Sequence, residues 1–103
     1  PMFGIFKNLL GPKQDLSEVV AQGAIILDVR TVGEFQQGHG KPSKNIPLDK
    51  LGQNIEKIKK WDKPVITCCA SGMRSASAAS TLKSHGIEAY NGGSWQAAHA
   101  LVR

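Results

Sequence analysis

Val65-Ile66-Thr67-Cys68-Cys69-Ala70-Ser71-Gly72-Met73-Arg74-Ser75 is the stretch around which the rest of the chain is arranged. Val65, Ile66 and Thr67 are β-branched, follow Pro64, and form too short a run for a helix, so they read as an interior strand. Small residues of good helix propensity follow Arg74, predicting a helix to about His85 with Gly86 as its left-handed stop. The intervening loop therefore lies at the carboxyl end of a strand and the amino end of a helix. Unpaired backbone N–H groups and the positive end of the helix dipole converge there, which suits an anion. A thiol so placed loses its proton more easily, because the thiolate is the anion being stabilised. Arg74 adds a cation able to hold an oxyanion through two hydrogen bonds.

Two registers fit the loop. Counted from Cys68, Arg74 completes C-x5-R, the spacing of cysteine-dependent phosphatases. Counted from Cys69, the loop reads C-x-x-G-x-R followed by Ser75, the pattern of rhodanese-type sulfurtransferases. The smaller loop encloses less space, which suits one added sulfur better than a phosphoryl group. Gly72 falls where the second pattern has its glycine, and Thr67 stands where the first has a histidine. Cys69 is the expected nucleophile, and Cys68 is read as a packing residue at the strand end.

Working outward, Ala24-Ile25-Ile26-Leu27 is a continuous apolar run, as in a strand covered on both faces. It ends in Asp28-Val29-Arg30, where charge arrives at the strand's carboxyl end, the edge at which open α/β sheets build their sites. Asp15-Leu16-Ser17-Glu18 reads as a capping box, Glu18 reaching back, for a helix ended by Gly23; Thr31 caps a second short helix. Asn45-Ile46-Pro47 predicts a short strand and turn. Leu48, Leu51, Ile55 and Ile58 have the three-and-four spacing of a helix over 48–60. Ile87-Glu88-Ala89-Tyr90 reads as a last strand, Asn91 to Ser94 as a loop, and Trp95 to Val102 as a closing helix with Trp95 in the core. Strands alternating with helices predict an α/β domain: a small, mainly parallel sheet of about five strands with helices on both faces. The apolar segment Met2 to Leu10 is expected to be an extension over residues 1–12, packed across the domain or a partner subunit or partly disordered, ahead of one domain over 13–103.

Bulk properties agree with a single small domain. The chain has 103 residues, 41% of them hydrophobic, enough for one core and not for two. It contains no apolar run long enough to span a bilayer and no signal peptide with a cleavage site, so a cytoplasmic location with reduced thiols is expected. The two cysteines are adjacent, and their Cα atoms, about 3.8 Å apart, lie below the range of roughly 4.4–6.8 Å usual for a disulfide. They also make a poor zinc site, and neither metal nor cofactor is expected. The net charge of +5 is compatible with anionic substrates. Its densest group, Lys57, Lys59, Lys60 and Lys63, reads as a solvated helix face without interleaved aromatics, which speaks against nucleic acid.

Taken together, the sequence resembles a single-domain rhodanese over roughly residues 13 to 100. Leu27-Asp28-Val29-Arg30, Glu34-Phe35, Gly38-His39 and Asn45-Ile46-Pro47-Leu48 follow the family's first motif in order. Cys69 to Ser75 matches the active-site loop, and Gly86 with Asn91-Gly92-Gly93-Ser94-Trp95 matches the closing segment. The chain departs from the family at Gly40-Lys41-Pro42-Ser43, where Ile-Pro-Gly-Ala is usual, and at Cys68, where an aromatic or aliphatic residue is usual. Ala70, Ser71 and Met73 are uncharged, whereas some thiosulfate-using members carry basic residues there.

The resemblance implies two-step sulfur transfer through a Cys69 persulfide, from a small anionic donor such as thiosulfate to cyanide in vitro or a thiol or protein in the cell. Ala70, Ser71, Gly72, Met73, Arg74 and Ser75 would surround the sulfur, with Arg74 serving substrate charge or bracing, and Ser75 capping the helix, donating to sulfur, or both. Asp28, Arg30 and Glu34 are expected to form a bracing ion-pair network, and His39 to hold a turn. Two other classes share these features: a cysteine-dependent phosphatase or arsenate reductase, and a non-catalytic rhodanese-like module for binding or redox sensing.

Overall fold

The computed structural model describes residues 15–102; the apolar extension expected over residues 1–12 lies outside them. Four strands form one sheet: β1 (Ile25–Asp28), β2 (Lys44–Asn45), β3 (Val65–Cys69) and β4 (Ala89–Ser94), in the order β2-β1-β3-β4, every neighbouring pair parallel. Among the described residues, five helices accompany them: α1 (Leu16–Ala21), α2 (Val32–Gln37), α3 (Ile55–Trp61), α4 (Met73–Ser84) and α5 (Trp95–Ala100). The strand count among the described residues is four, not the expected five, because only four segments combine an extended run with a partner on the sheet.

Strand β3 is central, and all five of its residues are buried. Side chains alternate along a strand, and the two cores divide accordingly. Val65 and Cys69 join Leu27, Ile55, Ile58, Ala78 and Leu82 on the α3–α4 face. Ile66 and Cys68 join Ile26, Val19 and Ala98 on the α1–α5 face. Alternation thus sends the two neighbouring cysteines to opposite sides of the sheet. The chain leaves β1 for β2 on one side and then returns past β1 to β3 on the other. The carboxyl ends of β1 and β3 accordingly flank the point where the winding reverses, where such sheets leave a crevice.

The local readings hold in part. Thr31 and Glu34 form a complete capping box on α2, with Thr31 Oγ1 accepting from Glu34 N–H at 3.2 Å and Glu34 Oε1 accepting from Thr31 N–H at 3.0 Å. Asp15 caps α1 by accepting from the Ser17 N–H and hydroxyl, at 3.1 and 2.6 Å, rather than through a return bond from Glu18. The single helix expected over 48–60 is two 3₁₀ turns, Leu48–Lys50 and Gly52–Asn54, leading into α3. Its opening bonds run three residues back, Lys50 to Pro47, Leu51 to Leu48 and Asn54 to Leu51, so the first apolar step of three was itself the 3₁₀ period. Exposed Lys57, Lys59, Lys60 and Lys63 make the solvated face the sequence implied.

The expected loop Asn91–Ser94 stays in the sheet as the end of β4, with a register shift opposite Thr67 and Cys69. Gly92 makes this possible: a Cβ there would come within 2.6 Å of Ile66 Cγ2 and 2.9 Å of the Thr67 carbonyl oxygen. Trp95 is only partly buried, packed on the α1–α5 core with the Arg30 guanidinium 4.9 Å from its ring centroid. Among the described residues, no helix is long and apolar enough to cross a membrane.

Candidate active site

Cys69 ends β3, Ala70 to Gly72 form the loop, and Met73 opens α4. Gly72 turns the chain with φ +104°, a left-handed conformation that costs a side-chain-bearing residue. That turn aims the backbone at the sulfur: Cys69 Sγ accepts from Gly72 N–H at 3.0 Å and Ser75 N–H at 3.4 Å, and lies 3.5 Å from Ser75 Oγ. Burial pushes the Cys69 thiol up. The Ser75 hydroxyl and the N–H groups of Ser75, Gly72 and Ser71 outweigh it, bringing the thiol down to about 7. Cys69 is 0% exposed, while Ala70, Ser71 and Met73 of the loop beside it are exposed.

Cys68 has the opposite environment. Burial and the Asp28 charge push its thiol up to about 12, leaving an inert packing residue. The phosphatase register, which begins at Cys68, starts from a sulfur on the far side of the sheet from α4.

Around the loop, the charged residues form two pairs. Asp28, fully buried, accepts from Arg30 Nε at 3.0 Å and Nη2 at 2.7 Å, and Arg30 also donates to the carbonyls of Gly38 and Glu34 at 2.8 and 3.3 Å. Arg30 therefore ties the end of β1 to the middle and the carboxyl end of α2. The Glu34 carboxylate pairs with Arg74, clasping it through two bonds of 2.7 and 3.0 Å. The Arg74 hydrogen bonds, then those of Thr31, hold the Glu34 carboxyl down at about 2. Arg74 is thus a brace between α4 and α2 here, and an anionic ligand must compete with Glu34 for it. His39 donates from Nδ1 to the Phe35 carbonyl at 2.7 Å and stacks on the Phe35 ring at 3.7 Å, holding the turn after α2.

Two contributors were not singled out from sequence. Asn45 Nδ2 donates to the carbonyls of Asp28 and Arg30, each at 3.0 Å, fixing the backbone that follows β1. Asn91 accepts from the Ser75 hydroxyl at 2.6 Å and donates to the Gly72 carbonyl at 3.2 Å. Asn ahead of Gly92-Gly93 was the available sign of a side chain bonding to nearby backbone.

Fold and site together define an α/β domain that holds one activated cysteine in an anion cradle at the carboxyl edge of a parallel sheet. The chain belongs to the Rhodanese-like domain family, whose profile matches residues 12–99. It is 44% identical over 69 residues to the uncharacterized protein YqhL of Bacillus subtilis, a match covering 66% of this chain and 54% of that protein. The chain thus spans about half the length of the curated relative it matches.

Among solved structures, a rhodanese-like domain protein of Staphylococcus aureus has a TM-score of 0.66 at 29% identity, covering 92% of this chain and 83% of that one. An Escherichia coli rhodanese with anions has a TM-score of 0.66 at 26% identity, covering 72% and 89%. A protein of unknown function from Rhodopseudomonas palustris, described as a possible tyrosine phosphatase, has a TM-score of 0.62 at 28% identity, covering 76% and 67%.

Proposed function

We propose that this chain is a sulfurtransferase that carries a sulfane sulfur on Cys69. The observation that carries the reading is the convergence of loop N–H groups on Cys69 Sγ, with the thiol brought down to about 7. A thiol drawn down to about 7 presents thiolate at neutral pH, so no separate general base is needed. With thiosulfate as donor, the thiolate attacks the outer sulfur, the donor's S–S bond breaks, and its electron pair leaves with sulfite. The persulfide keeps one negative charge on its outer sulfur, which the loop amides stabilise. An acceptor nucleophile, cyanide or a thiol, then bonds to that sulfur, and the electron pair of the Cys69 S–S bond returns to Cys69 as thiolate. Arg74 also borders a groove with Val29, Thr31, Pro47, Leu48 and Asp49, a surface over which acceptors would approach.

The likeness to the R. palustris protein keeps a phosphatase in the test. Reduced protein would be incubated with thiosulfate, freed of excess donor and weighed intact, beside Cys69→Ser and Cys68→Ser. Gain of one sulfur that requires Cys69 only, and its release as thiocyanate on adding cyanide, is the expected result. Failure to retain sulfur from thiosulfate, with phosphate-ester hydrolysis lost in Cys68→Ser alone, would overturn it. Inertness in both assays with an ordinary thiol titration would leave a binding module.

A further inference from the structure

The Ser75 hydroxyl faces three acceptors, one of them the Gly93 carbonyl oxygen at 3.5 Å. Its oxygen lies 3.5 Å from Cys69 Sγ and 2.6 Å from Asn91 Oδ1. Which end of the Asn91 amide faces Ser75 is set by the other two bonds of that amide. Gly93 N–H donates to Oδ1 at 2.9 Å, and Nδ2 donates to the Gly72 carbonyl at 3.2 Å. Reversing the amide would set two donors against each other at Gly93 and two acceptors at Gly72. A carboxamide oxygen only accepts, so the Ser75 hydrogen points at Asn91 and the Ser75 lone pairs face the sulfur.

We infer that Asn91 is a positioning residue that competes with Cys69 for the Ser75 hydroxyl hydrogen, so that the hydroxyl serves the thiolate only by giving up its bond to Asn91, and the protonated or sulfur-loaded cysteine is favoured beyond what Ser75 alone would give. With Cys69 protonated, the relay runs from Cys69 S–H to Ser75 O–H to Asn91 Oδ1. Ionisation passes the thiol proton to water, and the Ser75 hydroxyl must then leave a 2.6 Å bond to serve the thiolate. In the persulfide the charge sits on the outer sulfur, and the hydroxyl stays with Asn91. The inference deepens the proposed function by naming what regulates its nucleophile.

The titratable groups coupled to Cys69 are Arg74 on α4 and the adjoining Cys68 thiol; Glu34 on α2 and Asp28 on β1, with its partner Arg30, act on those in turn. Strand β4 sets Asn91, Gly92, Gly93 and Ser94 beside the loop, all uncharged, and His99 of α5 packs its ring against Gly40.

Asn91 is exposed, so replacing it leaves the core alone. The test is a pH titration of thiolate ultraviolet absorbance in wild type, Asn91→Leu, Ser75→Ala and the double variant, with Cys69→Ser as the blank. Leucine removes the 2.6 Å acceptor and leaves the hydroxyl to Cys69 Sγ and the Gly93 carbonyl, each at 3.5 Å. Asn91→Leu is expected to lower the Cys69 midpoint by about one pH unit, roughly a tenfold gain in thiolate below the midpoint. The shift should vanish when Ser75 is alanine. No shift, an upward shift, or an equal shift without the Ser75 hydroxyl would overturn the inference. Because no sulfur donor is involved, these results are independent of whether the chain transfers sulfur.

Discussion

Cys68 and Cys69 are neighbours in sequence, yet one thiol is pushed up to about 12 and the other drawn down to about 7. The difference arises because one sulfur faces apolar packing and the other faces unpaired amide hydrogens. In the folded protein, iodoacetamide should modify Cys69 with a rate rising through a midpoint near pH 7. Cys68 should stay unmodified until denaturant is added, and peptide mapping separates the two. Gly72 is the other residue on which the cradle depends. Alanine at its φ of +104° should cost about 1–2 kcal/mol, read as a fall of several degrees in melting temperature. The Cys69 titration should move upward with it, as the Gly72 N–H leaves the sulfur.

At the scale of elements, the cradle depends on β4 lying hard against β3. Gly92 is where the two strands come closest, and a Cβ there meets the Ile66 side chain and the Thr67 carbonyl. Gly92→Ala should destabilise by roughly 1–3 kcal/mol, and thermal unfolding would measure it. Gly33, whose Cβ would meet nothing within 4 Å, is the matched control. Helix α2 is joined to α4 by the Glu34–Arg74 pair, which needs both oxygens and both guanidinium nitrogens. Arg74→Lys keeps the charge and loses the fork. In the sulfur transfer proposed above, it should lower kcat/KM for thiosulfate by about tenfold, equivalent to losing one charge-assisted hydrogen bond at the loop.

The whole molecule registers these local fields as a pH dependence of stability. The Cys69 pKa falls from an ordinary value near 9 to about 7 on folding, so the unfolded chain binds more protons between those limits. Stability from Cys69 is therefore fully present above about pH 9 and is lost as pH falls through 7, a difference of roughly 2–3 kcal/mol. Cys68 has the opposite sign: its raised pKa stabilises the fold below pH 9, and that contribution is lost as pH climbs toward 12. Urea unfolding across pH 6 to 11 should show stability rising to about pH 9 and then declining. Cys69→Ser should remove the rise and leave the decline.

Much of this was legible in the chain before any fold was drawn. The β-branched run before Cys69, the small-residue helix after it and the glycine at position 72 are local preferences, set by backbone sterics and period. They sufficed to place a cysteine at the joint of a strand and a helix. The charge arriving at Asp28-Val29-Arg30 likewise marked a strand end. The two 3₁₀ turns before α3 were harder to read, because a spacing of three belongs to both helix types until the hydrogen bonds are seen. The partners across the site were beyond local reading altogether. Glu34 choosing Arg74 over Arg30, and Asn91 holding Ser75, join residues 40 and 16 positions apart. Local sequence carries the torsional and burial preferences of each segment. Which side chains then meet depends on sheet order and strand register, and only the packed tertiary structure decides those.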